Sequence, residues 1–299
     1  MVNISIIMPV YNTAEYLRKS IGSLQRQTYT NFELICINDA STDHSLLVLE
    51  ELKSHDNRIT ILNHEVNCGA AISRNDGLKI ARGEYVICLD SDDFFYSGML
   101  ETSYNLAVKC NADLVIFGSE IINSQGQESV KTAGSFELID HKEKKALFIP
   151  RTRHVPWDKL VRRELLLKNN IVFQDLLTNN DIFYSFAVML VSDKTVVCNE
   201  ILLEYNHRRQ GNLTEIRFSK KNFMVDAFYA VYQFCMQQHI DQKIKSVVLN
   251  MLTDKIQMYL SNTEYPLEIR LSSLNVFLGY QDLIDELKQQ GEEGHLYPH

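Results

Sequence analysis

The sequence lacks the features that mark a membrane-spanning, secreted or repetitive protein. Its apolar runs all fall well short of the roughly 20 residues that a membrane-spanning helix needs. Met1 leads directly into the apolar segment Ile4–Val10, without the basic start of a secretory signal peptide. No internal repeat or low-complexity tract interrupts the chain. These absences favour a cytoplasmic protein, and they leave open a peripheral contact with the inner face of the cell membrane.

Cysteine is scattered rather than clustered. The six cysteines form no CxxC pair and show no zinc-ligand spacing; they are Cys36, Cys68, Cys88, Cys110, Cys198 and Cys235. Cys36 and Cys88 lie within apolar runs, where a thiol packs as a small hydrophobic side chain. The pattern favours a reducing compartment.

The chain also has fewer basic than acidic residues. The 30 lysine and arginine residues are outnumbered by 38 aspartate and glutamate residues, so the net charge is -8. An overall acidic chain disfavours nucleic-acid binding, which usually needs a basic face, and we expect no nucleic-acid partner. A small anionic ligand stays open, because a few local cations and a metal ion can hold a diphosphate. With 299 residues, 45% of them hydrophobic, the chain can bury a sizeable core.

In the first 120 residues, short apolar runs alternate with amphipathic segments. The runs predict strands at Val2–Val10, Phe32–Asn38, Arg58–Leu62, Glu84–Leu89 and Asp113–Phe117. The segments between them predict helices at Ala14–Gln27, Asp43–Ser54, Cys68–Ala81 and Ser97–Cys110. Strands that alternate with helices of this length form βαβ units. We therefore expect an α/β fold with a mostly parallel sheet flanked by helices.

The rest of the chain is less regular, with a loop or hairpin expected over residues 123–135. Its patterns predict helices at Asp140–Phe148, Trp157–Asn169 and Asn180–Val191, and short strands at Ile171–Phe173, Thr195–Cys198 and Ile201–Tyr205. The final part is helical throughout, over Ser219–His239, Gln242–Leu260 and Leu267–Gln290. We expect a domain over residues 1–215, with halves at 1–120 and 121–215, followed by a helical extension over 216–299.

Polar side chains follow the predicted strands where each strand ends. Asp39 follows the second strand, and Asp90, Asp92 and Asp93 follow the fourth. Because open parallel sheets bind ligands at the carboxyl ends of their strands, we expect these groups to converge. Three neighbouring carboxylates repel one another unless a cation compensates, and Mg²⁺ and Mn²⁺ prefer oxygen ligands. The alternative is a solvated loop in which Asp93 caps the next helix.

Each of the earlier polar segments allows two interpretations. Asp39 can accept a hydrogen bond from a nucleotide base or a ribose, whereas Asp43 is expected to cap the helix that follows it. Gly69 permits close backbone approach near a helix N-terminus, which is a natural anion site. Arg74 can reach a phosphate or a base, or pair with a nearby carboxylate such as Asp90. The glycine spacing fits neither a P-loop nor a dinucleotide-binding fingerprint.

Five segments in this order carry a resemblance to a known family. They are Ser5–Asn12, Ser23–Thr28, Asn38–Asp43, Asn67–Asn75 and Gly83–Asp93. Together they resemble the family 2 glycosyltransferases, closely over residues 3–120 and more loosely to residue 215. The resemblance implies the GT-A fold, with its Rossmann-like sheet, and an inverting transfer of a sugar from a nucleotide-sugar, with a UDP-sugar as the expected donor.

The resemblance also assigns residues to the donor nucleotide. Pro9, Tyr11 and Glu15 lie in the segment that lines the base. Asp39 matches the aspartate that holds the base, and Arg74 matches an arginine near the base and the phosphates.

The acidic segment resembles the DxD motif of the family. Asp90 matches the aspartate that faces the ribose, Ser91 is the intervening residue, and Asp92 matches the metal ligand. The resemblance implies Mn²⁺ or Mg²⁺ as the cofactor, held between Asp92 and the diphosphate.

The catalytic base is expected in a later segment. Family members carry a Glu-Asp pair at the start of a helix, and Asp181 aligns with its aspartate. Asn180 replaces the glutamate, which is a departure from the family pattern. Asp181 would take a proton from the acceptor hydroxyl. The alternatives are that Asp181 only caps its helix, or that Asp175 is the base.

Two more segments resemble the acceptor side and a closing loop of the family. Trp157 and Lys159 match the acceptor side, although the indole could equally fill the core. His207, Arg208 and Arg209 match a loop that closes over the diphosphate, where His207 is also a candidate metal ligand. A solvated loop is the alternative for these three.

The expected function is transfer of a sugar to a saccharide or lipid-linked saccharide acceptor. Relatives of this size suggest bacterial surface polysaccharide or glycoconjugate synthesis, and a homodimer is left open. The alternative from another class is a non-catalytic nucleotide-sugar-binding or scaffold protein of a polysaccharide-assembly complex. A nucleotidyltransferase is disfavoured, because Tyr11–Glu15 has neither the glycines nor the basic residues of its loop.

Overall fold

A computed structural model describes residues 2–123, 126–130, 136–206 and 223–261 of the chain. The strands are β1 Ile4–Val10, β2 Phe32–Asn38, β3 Ile59–Asn63, β4 Tyr85–Cys88, β5 Phe94–Phe95, β6 Leu114–Asn123, β7 Gly126–Val130, β8 Glu137–Ile139, β9 Lys159–Arg162 and β10 Thr195–Asn206. The helices are α1 Ala14–Gln25, α2 Ser45–His55, α3 Ala70–Ile80, α4 Met99–Cys110, α5 Lys142–Phe148, α6 Arg163–Lys168, α7 Asn180–Val191, α8 Met224–Gln237 and α9 Gln242–Ser261.

The first four strands form a parallel sheet in the order β3-β2-β1-β4. Successive residues of each strand enter opposite layers of the core: Ile35 belongs to the layer that also holds residues of α3 and α7, whereas Leu34 belongs to the layer that holds residues of α1, α2 and α4. Burial on both faces explains why these strands are almost continuously apolar in sequence. The predicted α/β architecture is confirmed.

Helix α3 lies unusually close to the sheet because of Gly77. A Cβ atom at this position would lie 2.5 Å from a methyl group of Ile7 and 3.0 Å from one of Ile37. The close approach fixes α3 against β1 and β2, and with it the position of Arg74, which lies one turn earlier on the helix.

The second half of the sheet is more mixed than the sequence predicted. Strand β9 runs antiparallel between β4 and β6, and the predicted helix Trp157–Asn169 is therefore wrong at its start. Leu160 and Val161 are fully buried in the strand, and the helix begins only at Arg163. Cross-strand burial outweighs the helical spacing of these apolar residues. Since β9 pairs with β4, the two halves of the chain share one sheet.

Two predicted short strands, Thr195–Cys198 and Ile201–Tyr205, are one strand with an irregularity. Strand β10 pairs in parallel with β6 and shifts register around Ile201. The predicted strand Ile171–Phe173 does not form, and its residues run between α6 and α7 without regular structure. The predicted loop or hairpin after β6 is a hairpin with β7.

The helices after residue 222 pack on the same core. Phe228 of α8 and Leu249 of α9 are buried in one cluster with residues of α7. None of the described helices is both long enough and apolar enough to cross a membrane. The predicted helix Leu267–Gln290 lies outside the described residues.

Candidate functional site

The predicted convergence of strand ends is present around the end of β1. The backbone N–H of Asp39 donates to the carbonyl of Val10 at 2.9 Å, and the N–H of Leu89 donates to that of Ile7 at 2.9 Å. The hydroxyls of Thr13 and Ser91 are 3.0 Å apart. The segments that follow β1, β2 and β4 therefore form one edge, as the parallel topology requires.

The carboxylate of Asp39 is buried and holds the loop that leads into α3. It accepts hydrogen bonds from the backbone N–H groups of Cys68 at 2.8 Å and Gly69 at 2.7 Å. The left-handed backbone of Gly69, with φ of 87°, makes this turn. His64 Nδ1 lies 2.8 Å from the same carboxylate. Much of the acceptor capacity of Asp39 is therefore used within the protein, and its predicted contact with a base stays a prediction.

His64 follows β3 at this edge, where polar residues 63–67 were expected, but the sequence analysis gave it no role. Its Nδ1 faces Asp39 and its Nε2 lies 3.1 Å from Asp76 Oδ2. One ligand atom from each of Asp39, His64 and Cys68 falls within 4.8 Å of the others, so the three could hold a metal ion. Spacing along the chain gave no signal for this cluster, because β2, β3 and the loop before α3 bring its members together.

Asp43 caps two helices rather than one. Its carboxylate accepts from the backbone N–H of Ser45, which begins α2, at 2.9 Å and from that of Ala14, which begins α1, at 3.0 Å. Burial acts to raise its pKa, but these hydrogen bonds outweigh burial and the pKa is lowered. The predicted capping role is confirmed.

The three carboxylates of the acidic segment have different surroundings. Asp90 and Asp92 keep some contact with solvent, whereas Asp93 is fully buried. Asp93 accepts a hydrogen bond from the backbone N–H of Asn206 at 2.9 Å. Burial, together with the charges of Asp90 and Asp92, raises the pKa of Asp93 well above its ordinary value. Asp93 therefore anchors the end of β10, and Asp90 and Asp92 are the carboxylates that solvent reaches.

Arg74 connects the acidic segment to the start of α7. Its Nη2 donates to Asp90 Oδ1 at 2.8 Å and its Nη1 donates to Asn180 Oδ1 at 3.3 Å. Burial acts to lower the pKa of Arg74, but the carboxylates of Asp90 and Asp181 more than offset this and raise it. The guanidinium thus stays charged inside the protein, between the predicted ribose contact and the predicted base.

Asn75, the next residue on α3, fixes the segment before α7. Its Nδ2 donates to the carbonyl of Phe173 at 2.8 Å, and its Oδ1 accepts from the N–H of Phe173 at 2.8 Å. The ring of Phe173 stacks on Tyr184 of α7, with centroids 4.2 Å apart. A side-chain amide, and not a neighbouring strand, thus satisfies both backbone polar groups of Phe173.

Asp181 lies in the first turn of α7 beside these groups. Burial raises its pKa to about 6, and Asp90 acts in the same direction, whereas the charges of Arg74 and Lys159 act to lower it. A carboxylate with a pKa near the working pH is suited to general base catalysis. Asp175, the alternative base, is exposed on the segment before the helix.

Residues 5–168 match the family model "Glycosyl transferase family 2". The chain belongs to this family. It is 30% identical over 264 residues to the glycosyltransferase GlyG of Streptococcus pneumoniae, covering 84% of this chain and 87% of the relative. It is 28% identical to a poly(ribitol-phosphate) beta-glucosyltransferase of Bacillus spizizenii, covering 83% of this chain and 39% of that longer relative. It shares its fold with residues 1–349 of TarS from S. aureus, solved with UDP-GlcNAc, at a TM-score of 0.78 and 20% identity over 92% of this chain and 80% of that one.

In this family 2 glycosyltransferase, Trp157 and Lys159 lie inside the protein. Trp157 stacks on Tyr205 with ring centroids 5.3 Å apart. The guanidinium carbon of Arg153 lies 4.7 Å from the centroid of the Trp157 ring. The ammonium of Lys159 is fully buried and donates to Asp158 Oδ1 at 2.6 Å and to the carbonyls of Arg153 and Val155. Trp157 packs in the core and Lys159 holds the preceding loop, and the acceptor-side role of both residues stays a prediction.

The remaining predicted residues of this glycosyltransferase lie at the rim or beyond the described chain. Pro9 is half-buried, and Tyr11 and Glu15 are exposed beside the end of β1. His207, Arg208 and Arg209 lie outside the described residues. They follow Asn206 directly, whose N–H is held by Asp93.

Proposed function

We propose that this chain transfers a sugar from a UDP-sugar to an acceptor hydroxyl with inversion of the anomeric configuration. The observation that carries the proposal is the link made by Arg74, which contacts Asp90 on the donor side and Asn180 beside the candidate base. One buried side chain thereby links the donor side to the start of the helix that carries the candidate base, and a displacement reaction needs the donor and the base close together. The fold shared with a protein solved with UDP-GlcNAc supports a UDP-sugar as the donor.

On the donor side, we propose that Asp39 contacts the base, that Asp90 contacts the ribose and that Arg74 contacts the diphosphate. Pro9, Tyr11 and Glu15 would border the base at the rim. The buried charge of Arg74 is well placed for an anionic ligand, and its Nε is buried without an acceptor among the described residues.

The acidic segment suits a hard divalent cation. Asp90 and Asp92 offer oxygen ligands, and their charges help to raise the pKa of Asp93, a repulsion that a cation would relieve. We propose that Asp92 holds Mn²⁺ or Mg²⁺, with His207 as a second candidate ligand. When bound, the cation would offset the charge on the departing UDP.

On the acceptor side, Asp181 would act as the general base. It would accept the proton of the acceptor hydroxyl as that oxygen bonds to the anomeric carbon. The bond from this carbon to the UDP oxygen breaks on the opposite face, which inverts the configuration. With a pKa of about 6, Asp181 is ionised at neutral pH and can accept the proton.

The relatives support a proposal for the biological setting. Similarity to a poly(ribitol-phosphate) beta-glucosyltransferase supports a role in bacterial surface polysaccharide or glycoconjugate synthesis, with a saccharide or lipid-linked saccharide as acceptor. We propose that residues 1–215 form the catalytic unit and residues 216–299 a helical extension. We also propose that the protein acts at the inner face of the cell membrane through a peripheral contact. A homodimer is part of the same proposal.

The test is UDP release from a panel of UDP-sugars with Mn²⁺ or Mg²⁺, beside calorimetry of UDP with the same metals. We expect metal-dependent UDP binding and UDP release with at least one donor. Binding without release from any donor, with acceptors supplied, would favour the non-catalytic binding protein instead. A protein that neither binds UDP nor releases it would contradict both.

A further inference from the structure

The imidazole of His64 lies between two carboxylates, one on each side of the ring. Its Nε2 is 3.1 Å from Asp76 Oδ2, and its Nδ1 is 2.8 Å from Asp39 Oδ1. Ionised carboxylates only accept, so a proton on each ring nitrogen, or a metal cation in place of one proton, satisfies both contacts. A histidine that binds a metal usually donates its other N–H to a carboxylate, which is the position that Asp76 holds here.

Cys68 adds a thiol on the Asp39 side of this ring. One ligand atom from each of Asp39, His64 and Cys68 lies within 4.8 Å of the other two. The backbone holds the three together. The N–H of His64 donates to the carbonyl of Asn38 at 2.9 Å, and the N–H of Cys68 donates to Asp39 Oδ1 at 2.8 Å. The fold therefore brings a carboxylate, an imidazole and a thiol to one place from the ends of β2 and β3 and the loop before α3.

These three groups fit Zn²⁺ better than they fit Mn²⁺ or Mg²⁺. Thiolate and imidazole ligands select softer cations, whereas Mn²⁺ and Mg²⁺ prefer the oxygen ligands of the acidic segment. Tetrahedral ligands at about 2.0–2.3 Å from Zn²⁺ lie roughly 3.3–3.6 Å apart, so the contact between His64 and Asp39 would open by about 0.5 Å. Cys68 is exposed, so its thiol is open to a cation from solvent, and water would complete the coordination.

We propose that Asp39, His64 and Cys68 bind a thiophilic divalent cation of the Zn²⁺ type, at a site separate from the acidic segment. Binding releases the proton of the Cys68 thiol and the proton between His64 and Asp39. The cation then occupies the carboxylate that is proposed to contact the donor base. It follows that Zn²⁺ and UDP exclude each other, and this consequence alone rests on the proposed function.

Co²⁺ tests the site directly, because a bond between Co²⁺ and a thiolate gives a charge-transfer absorption in the near ultraviolet that oxygen ligands do not give. The titration uses the reduced full chain in excess Mg²⁺, which competes with Co²⁺ for the acidic segment. We expect the absorption to saturate at about one Co²⁺ per chain and to disappear when Zn²⁺ is added. No absorption in wild type at any excess of Co²⁺ overturns the proposal.

The variants test whether the thiolate acts together with the imidazole. Cys68→Ser should abolish the absorption, and Cys110→Ser is the matched control, because Cys110 is a partly accessible thiol outside this group. His64→Gln should weaken Co²⁺ binding by about 10-fold or more. An equal absorption in Cys68→Ser, or an unchanged affinity in His64→Gln, overturns the proposal. If His64→Gln does not fold, Asp76→Ala removes the carboxylate on the other side of the ring and is held to the same outcome.

A second titration measures the Kd for UDP in excess Mg²⁺, with and without buffered Zn²⁺. With free Zn²⁺ at about ten times its Kd, UDP should bind wild type about 10-fold more weakly. Cys68→Ser controls for Zn²⁺ that UDP binds in solution, and its Kd for UDP should not respond to Zn²⁺.

The two titrations separate the metal site from the proposed function. If the Co²⁺ absorption depends on Cys68 but Zn²⁺ leaves UDP binding unchanged, the metal site is supported and the proposed contact of Asp39 with the base fails. If UDP does not bind under any condition, the proposed function fails, and the Co²⁺ titration still decides whether the metal site exists.

Discussion

The side-chain amide of Asn75 exchanges two hydrogen bonds of 2.8 Å with the backbone of Phe173, which lies 98 residues later in the chain. Through this pair, α3 carries both the arginine that contacts the acidic segment and the amide that anchors the segment before the candidate base. We infer that these bonds set the distance between the donor side and Asp181.

Asn75→Ala should therefore impair catalysis more than donor binding. The substitution leaves the N–H and carbonyl of Phe173 without partners, at a cost of about 1–3 kcal/mol in the free energy of unfolding. Urea unfolding measures the loss of stability. The decrease in kcat, compared with the change in the Kd for UDP, measures the effect on positioning.

The control for Asn75 is Asn169→Ala, which removes one hydrogen bond of 2.8 Å to the carbonyl of Leu165 at the end of α6. We expect its cost to be about 0.5–1.5 kcal/mol with unchanged kcat. Equal effects of the two variants on kcat would contradict a positioning role for Asn75.

Gly77→Ala should destabilise the protein by overpacking the contact between α3 and the sheet. The added methyl group would lie 2.5 Å from a side-chain atom of Ile7, which is buried in the core. We expect a loss of about 1–3 kcal/mol in the free energy of unfolding, measured in urea. At Gly98, the nearest atom to an added Cβ is 3.8 Å away, so Gly98→Ala should be almost neutral. Similar losses for both would refute the close packing of α3.

Asp93→Asn should stabilise the metal-free protein at neutral pH. The pKa of Asp93 is raised in the folded state, so the folded protein binds a proton that the unfolded chain releases. As the pH rises from the unfolded pKa of Asp93 to its folded pKa, the free energy of unfolding of wild type therefore falls by about 1.4 kcal/mol per pH unit. The asparagine variant lacks this loss, so its advantage should be absent at about pH 3 and present at about pH 7. Urea unfolding in EDTA at both pH values measures it, and an advantage that does not grow with pH would speak against a protonated Asp93.

Asp92→Asn should weaken metal-dependent UDP binding. Removing the proposed ligand lowers the affinity for Mn²⁺ in the presence of UDP by about 10-fold or more, as measured by the loss of free Mn²⁺ signal in electron paramagnetic resonance. Asp140→Asn is the control, because Asp140 is exposed and its ion pair among the described residues is a surface contact of 3.6 Å with Lys144. Unchanged Mn²⁺ affinity in Asp92→Asn would move the metal site elsewhere, and the group formed by Asp39, His64 and Cys68 would be tested next.

The sequence predicted the parallel part of the fold well, because its strands are buried on both faces and punctuated by caps. The apolar run Phe32–Asn38 and the cap Asp43 are where the sequence places them. The start of β9 could not be predicted, since Leu160 and Val161 are spaced for a helix as well as for a strand. Only the neighbouring strands β4 and β6 decide between the two.

The site was predictable as a set of residues but not as a set of contacts. Parallel topology brings Asp39 and Asp90 to one edge, and sequence alone allows that inference. The pairing of Arg74 with Asn180 joins residues 106 positions apart, and no local pattern signals it. The burial of Lys159 was missed for a related reason, because a lysine in sequence gives no sign of the carbonyls that enclose it.

The central claim is that Asp181 removes the proton of the acceptor hydroxyl, whereas other residues of the site bind the donor. The most direct measurement is the rate of UDP release by Asp181→Asn, with the affinity for UDP measured on the same protein and Asp175→Asn as the control. We predict a fall in rate of about 10²–10⁴-fold for Asp181→Asn, with UDP affinity retained and Asp175→Asn close to wild type. Release by Asp181→Asn at a rate near that of wild type would contradict the account.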